Sequence, residues 1–223
     1  MAKIKVILIS LSMWMLAACA GSRGPAPAIL PDGVPAYDDA AIEASYYTQQ
    51  LKVIQRDSLK AVENTDWLKF RKEFLKCRLS QPKRFGIMGH ETALKLARQS
   101  GDSKEEIKVA QDLLDVDFTN ISAHYAFVAS PLADSTVKEF HRQIIVALLN
   151  SIRDSGEGTS TQNAMYVINI GEEYDFLLLG GLRPTGQALI QDNDRQYDLM
   201  KAVDEDGNNY QFFFDVTDFF GHY

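Results

Sequence analysis

Apolar positions follow three successive rhythms along the chain. Val6 to Ala18 is an apolar run broken only by Ser10 and Ser12. From Asp38 to Asn64, Ile42, Tyr46, Leu51, Ile54, Leu59 and Val62 fall near helical spacing, which predicts one long helix or two short ones. Asp66 is placed to cap the next helix, whose Trp67, Phe70, Phe74 and Leu75 share one stripe and which Pro82 should end. A further helix is expected from Thr136 to Arg153, with Asp134 and Ser135 at its start.

The rhythm then changes at Asp154-Ser155-Gly156-Glu157-Gly158-Thr159, a turn-rich break. Tyr166 to Ile170 reads as a strand, Glu172 to Leu179 as a short helix stopped by Gly180-Gly181 and Pro184. Gln187 to Ile190, Gln196 to Val203 and Tyr210 to Val216 are strand segments, the last two folding back around Asp206-Gly207. In the final strand Tyr210, Phe212, Phe214 and Val216 alternate with Gln211, Phe213 and Asp215, so one face is apolar and is expected on the helical half. The fold class predicted is α+β: N-terminal helical hairpins packed on a small, mainly antiparallel C-terminal sheet, sharing one core.

Inside the helical half, two segments echo each other 34 residues apart. His90-Glu91-Thr92-Ala93 matches His124-Tyr125-Ala126-Phe127, and Ile107, Ala110, Leu113 and Leu114 match His141, Ile144, Ala147 and Leu148. That period resembles the tetratricopeptide repeat, with departures at Glu106, Phe118 and Val128. The resemblance covers residues 87–154 and implies helices stacked on helices, whether by relationship or as a generic hairpin stack.

The first run has a different meaning. Lys3 and Lys5 precede it, and it is too short to span a bilayer, so it reads as an export signal. Its end, Leu16-Ala17-Ala18-Cys19, resembles the bacterial lipoprotein box, which implies cleavage before Cys19 and acylation of that cysteine with palmitate-class chains. Ala20 after the cysteine implies outer-membrane retention facing the periplasm; a plain secretory signal is the other reading. The organisation expected is a signal over 1–18, a tether rich in Pro and Gly over 19–36, a helical region over 37–154 and an α/β region over 155–223.

A formal net charge of −7 argues against a nucleic-acid partner. Without residues 1–18, 21 basic side chains face 30 acidic ones, for a net charge of −9. Cys77 is then the one thiol of the folded part, expected as a buried side chain.

No catalytic set, metal site or cofactor motif emerges. His90-Glu91 opens like a zinc-protease helix, but Leu94 stands where the second histidine is needed. His124 and His141 sit on apolar stripes and are expected as core or groove histidines with satisfied rings. Asp204, Asp206 and Asn208 have calcium-loop spacing, yet Asn209 and Asp215 break the pattern and a turn is expected. Gly156-Glu157-Gly158 is too short for a phosphate loop, and Glu172-Glu173 is explained by helix capping.

The C-terminal half also resembles an uncharacterised bacterial family, domain of unknown function 4919. The residues that carry it are Ser155-Gly156-Glu157-Gly158, Tyr166-Val167-Ile168, Glu173-Tyr174, Leu182, Gln187-Ala188-Leu189, Tyr197-Asp198, Val203-Asp204 and Phe212-Phe213-Phe214. It spans about residues 66–216 and implies an architecture without an active site to carry over.

The function expected is a non-catalytic protein- or peptide-binding module, attached to the membrane through Cys19. The alternatives are a structural envelope-integrity or secretion-accessory lipoprotein, or a hydrolase with a cleft between helices and sheet. In that last case one of His90, His124 or His141 would be the acid–base group.

Overall fold

The computed structural model describes residues 37–81 and 86–221 together with the dipeptide Ile7–Leu8. Cys19, the rest of the signal, the tether, Pro82 and His222 lie outside the described residues. Contacts divide the chain into two compact units, one within 33–151 and one that joins Ile7–Leu8 to residues 152–223.

The helical unit starts with α1 (Asp39–Ala44), α2 (Tyr46–Asp57) and α3 (Leu59–Glu63), where the periodicity predicted one helix or two. Serines make the breaks. The Ser45 hydroxyl accepts from the Thr48 amide to start α2, and Ser58 takes a φ of 50° between α2 and α3. Asp66 caps α4 (Trp67–Ser80) by accepting from the Lys69 amide at 3.0 Å. Tyr47 lies against Phe70 and Phe74 with ring centroids 4.7 and 4.9 Å away, and both phenylalanines are fully buried.

Four further helices follow: α5 (Ile87–Ser100), α6 (Ser103–Val116), α7 (Ile121–Ala129) and α8 (Ser135–Arg153). Ile87 and Ile121 open α5 and α7 with the 34-residue offset of the sequence echo, and α6 packs against both of these helices. Gly101 at φ 73° ends α5, and Asp102, Asn120 and Asp134 cap α6, α7 and α8 with their carboxylate or amide oxygens. Arg98 ties three helices together by donating to Glu106 on α6 at 2.8 Å and to the Ser122 carbonyl on α7 at 3.1 Å. Arg71, fully buried on α4, donates to the Ser151 hydroxyl on α8.

In the second unit the strands are β1 (Ile7–Leu8), β2 (Met165–Tyr166), β3 (Arg183–Asp192), β4 (Arg195–Val203) and β5 (Asn209–Asp215), ordered β1-β3-β4-β5-β2. The meander β3-β4-β5 is antiparallel, as expected, but β2 runs parallel to β5 and makes the sheet mixed. Topology is the reason: after β2 the chain crosses through α9 (Ile170–Leu179) and enters the meander at its far strand. The first strand is also shorter than the Tyr166–Ile170 expected, because the Asn169 side chain accepts from the Glu172 amide and starts α9 at Ile170.

Register separates the two sheet faces. Ala188 opposes Leu199 and Ile190 opposes Tyr197, forming a buried cluster with Ala164 and Phe213 packed on it. The other face pairs Gln187 with Met200, Leu189 with Asp198, and Met200 with Phe212. It receives α9, whose Phe176 ring meets Phe212 and Phe214 edge-on at 6.2 and 5.9 Å.

The Gly156-Glu157-Gly158 segment is a structural turn. A Cβ on Gly156 would overlap the carbonyl oxygen of Ala164, and Gly158 at φ 69° would bring a Cβ within 2.7 Å of the Met165 methyl. Gly156→Ala should therefore destabilise the sheet unit by roughly 1–3 kcal/mol, as an overpacked site does. Urea unfolding followed by near-ultraviolet circular dichroism of the tyrosines checks this; an unchanged midpoint would contradict it.

Candidate functional site

His124 on α7 and His141 on α8 meet inside the helical unit, with their Nδ1 atoms 2.8 Å apart. The Nε2 of His124 lies 3.0 Å from the Phe118 carbonyl oxygen, which only accepts, so that nitrogen carries the proton. Its Nδ1 must then accept, and His141 Nδ1–H donates to it. His141 also stacks on Phe127, centroids 4.1 Å apart and planes 3° from parallel. Burial lowers His124 to about 3, with His141 beside it pushing the same way, and burial lowers His141 to about 4. Both rings are neutral at physiological pH. His90, half-exposed near the start of α5, does not take part in this pair.

The same network runs on through the α6–α7 turn. The amide of Phe118 donates to the Tyr47 hydroxyl at 3.2 Å. Asp117, fully buried, accepts from the amide and hydroxyl of Thr119 with Oδ1, while its Oδ2 has no hydrogen-bond partner. Burial lifts Asp117 to about 7, opposed by the Thr119 hydroxyl bond and the Arg78 charge. Burial also raises Tyr47, reinforced by Asp117.

A second cluster lies in the sheet unit. Glu172 and Glu173 both open α9, and only Glu172 behaves as a cap: its carboxylate accepts from the Ile168 amide at 2.9 Å. Glu173 is fully buried, and its Oε1 has no hydrogen-bond partner. The Gln187 amide on β3 donates to Asp198 on β4 at 2.6 Å and reaches Glu173 at 3.4 Å, while Tyr174 donates to the Gln187 carbonyl at 3.0 Å. Burial raises Glu173 well above the usual carboxyl range, and the Asp198 charge adds to it; burial raises Asp198 as well.

Sequence reasoning missed this cluster because Glu173 stands where a capping acid would stand. The available signal was Asp198, a carboxylate inside the apolar stretch Tyr197 to Met200. The calcium-like spacing is a turn: Asp204 accepts from the Asn208 amide and side chain and from the Tyr210 hydroxyl. Cys77 is fully buried, as expected. Among the described residues, no group of three or more His, Cys, Asp or Glu is arranged to hold a metal ion.

These features define an α+β protein that joins capped helical hairpins to a mixed sheet and buries a polar network in each unit. The chain belongs to the family described as Domain of unknown function (DUF4919), whose model matches residues 90–223. That stretch holds the carboxyl cluster and the histidine pair with Asp117, but not Tyr47; it begins within α5, later than the residue 66 expected, so α4 falls outside it. Neither the curated proteins nor the solved structures contain a match.

The helical network makes a signed prediction. Unfolded histidines take up protons near 6.5, so native stability is lost as pH falls below that value toward about 4 and 3. Asp117 acts in the opposite sense: its carboxyl keeps a proton up to about 7 when folded but only to 3.8 when free, so its contribution is lost as pH rises through that window. Removing that one proton with Asp117→Asn should change stability relative to the wild type by about 1.4 kcal/mol per pH unit between pH 4 and 7, in favour of the variant as pH rises. Urea unfolding read by Trp67 fluorescence at pH 5, 6 and 7 measures it, and a pH-independent difference would show that Asp117 is ionised in the fold.

Proposed function

We propose that the protein is a lipid-anchored envelope protein whose helical hairpins bind a protein or peptide without catalysis. The observation that carries this reading is α5. Only Leu94 and Ala97 of this helix are buried, while Met88 and Leu96 are 71% and 61% exposed. Tyr125 on α7 and Leu132 just beyond it are exposed as well, so apolar side chains are open to a partner on two helices of the hairpin stack.

The hydrolase alternative loses two of its three acid–base histidines, because His124 and His141 are buried, neutral and bonded to each other. Attachment through acylated Cys19 rests on Leu16-Ala17-Ala18-Cys19 and the preceding Lys3, Lys5 and apolar run. No helix among the described residues is long and apolar enough to cross a membrane. Placement at the outer membrane, facing the periplasm, follows from Ala20 after the anchor cysteine.

Photoreactive side chains placed at Leu96 and Tyr125 should give a shared crosslinked partner in intact cells, while one at exposed Asp112 on α6 should not. Equal adducts at all three positions, or none at any, would discard the binding face. In a Cys19→Ser variant the protein should leave the membrane fraction; if it stays, the lipid anchor is wrong even where the crosslinks persist.

A further inference from the structure

The carboxyl cluster under α9 is unlike a surface acidic patch. Glu173 is 0% exposed and Asp198 6% exposed, and one amide nitrogen, that of Gln187, lies between them. The charges that act on Glu173 are those of Asp198 from β4 and Glu172 from its own helix, both of its own sign. Neutral side chains near it include those of Tyr174 and Gln187 and, further along the same sheet face, the rings of Phe212 and Phe214. Two ionised carboxylates sharing one amide donor out of water would repel each other and leave the Glu173 Oε1 as a buried charge with no hydrogen bond.

We infer that Glu173 and Asp198 hold a single proton between them, and that this proton latches α9 onto the sheet. With the proton on Glu173, the carboxyl donates to ionised Asp198, the Gln187 amide completes the shell of Asp198, and the Tyr174 hydroxyl fixes the Gln187 carbonyl. Losing the proton converts an internal hydrogen bond into a like-charge contact where α9 meets Gln187 of β3 and Asp198 of β4. Alkalinity is therefore the stimulus that opens this edge of the sheet unit.

The sign follows from linkage. Glu173 binds its proton more tightly when folded than when free, so the latch is at full strength below the free carboxyl range and is lost as pH rises through the raised value. In that interval each pH unit weakens the closed state by about tenfold. The reading does not depend on the proposed binding role, because it concerns a different unit and a different readout.

Hydrogen exchange of the α9 amides in the full-length chain, corrected for intrinsic rates, tests it between pH 5 and 8. Wild-type protection should fall as pH rises, by about tenfold for each unit over which the proton is lost. Glu173→Gln, which keeps a neutral donor toward Asp198, should hold at pH 8 the protection the wild type has at pH 5. Matching pH profiles in the two chains would overturn the latch. If the variant does not fold, the carboxyl carbon resonance of Glu173 in the wild type decides at pH 6: a protonated shift supports the inference and an ionised one refutes it.

Discussion

Taking an ionised side chain out of water costs several kcal/mol unless a partner charge or hydrogen bonds replace the lost hydration. Both units of this protein bury titratable groups, and in two clusters the groups are arranged so that the charge does not have to be buried whole. His124 and His141 interlock as neutral rings, the carbonyl of Phe118 fixing which nitrogen keeps its proton. Glu173 and Asp198 meet over one amide from Gln187. Neutral, hydrogen-bonded rings join α7 to α8, and a shared amide joins the carboxyls of α9 and β4.

Several ion pairs lie nearer the surface. Lys52–Glu43, Arg98–Glu106, Arg142–Glu139 and Arg195–Asp215 have at least one half-exposed partner, and pairs of this kind contribute little on average. Arg98 has a larger part through its second bond, to the Ser122 carbonyl, because that contact sets α5 beside α7. Element boundaries are set more firmly, by short polar side chains at helix starts: Asp38, Ser45, Asp66, Asp102, Asn120 and Asn169 each accept from an amide one turn on. Asn169 has the widest effect, since starting α9 there ends β2 after two residues.

Local signals in the sequence were legible where physics is local. The cap at Asp66, the stripe of Trp67, Phe70 and Phe74, the stop at Gly180-Gly181 and the hairpin at Asp206-Gly207 all lie where spacing and turn chemistry placed them. The strand assigned through Ile170 was too long because β-branched residues outweighed one asparagine. The parallel pairing of β2 had no local signal at all, being a consequence of chain crossing. The sites followed the same division: apolar stripes predicted that His124 and His141 face inward, but nothing in a 17-residue separation announced that they face each other. Glu173 was hidden by its resemblance to a cap, a role that its neighbour Glu172 performs.

The parallel pairing of β2 bears on the order in which the chain can close. The helical hairpins join near neighbours in sequence, so their contacts become available as the chain emerges. Met165 pairs with Phe214 and Tyr166 with Asp215, so β2 has no strand to join until a segment about fifty residues downstream is present. Contacts of such high sequence separation are slow to form because loop entropy must be overcome first. β2 must therefore wait for β5, and loss of β5 alone would leave both β2 and one side of β4 without partners.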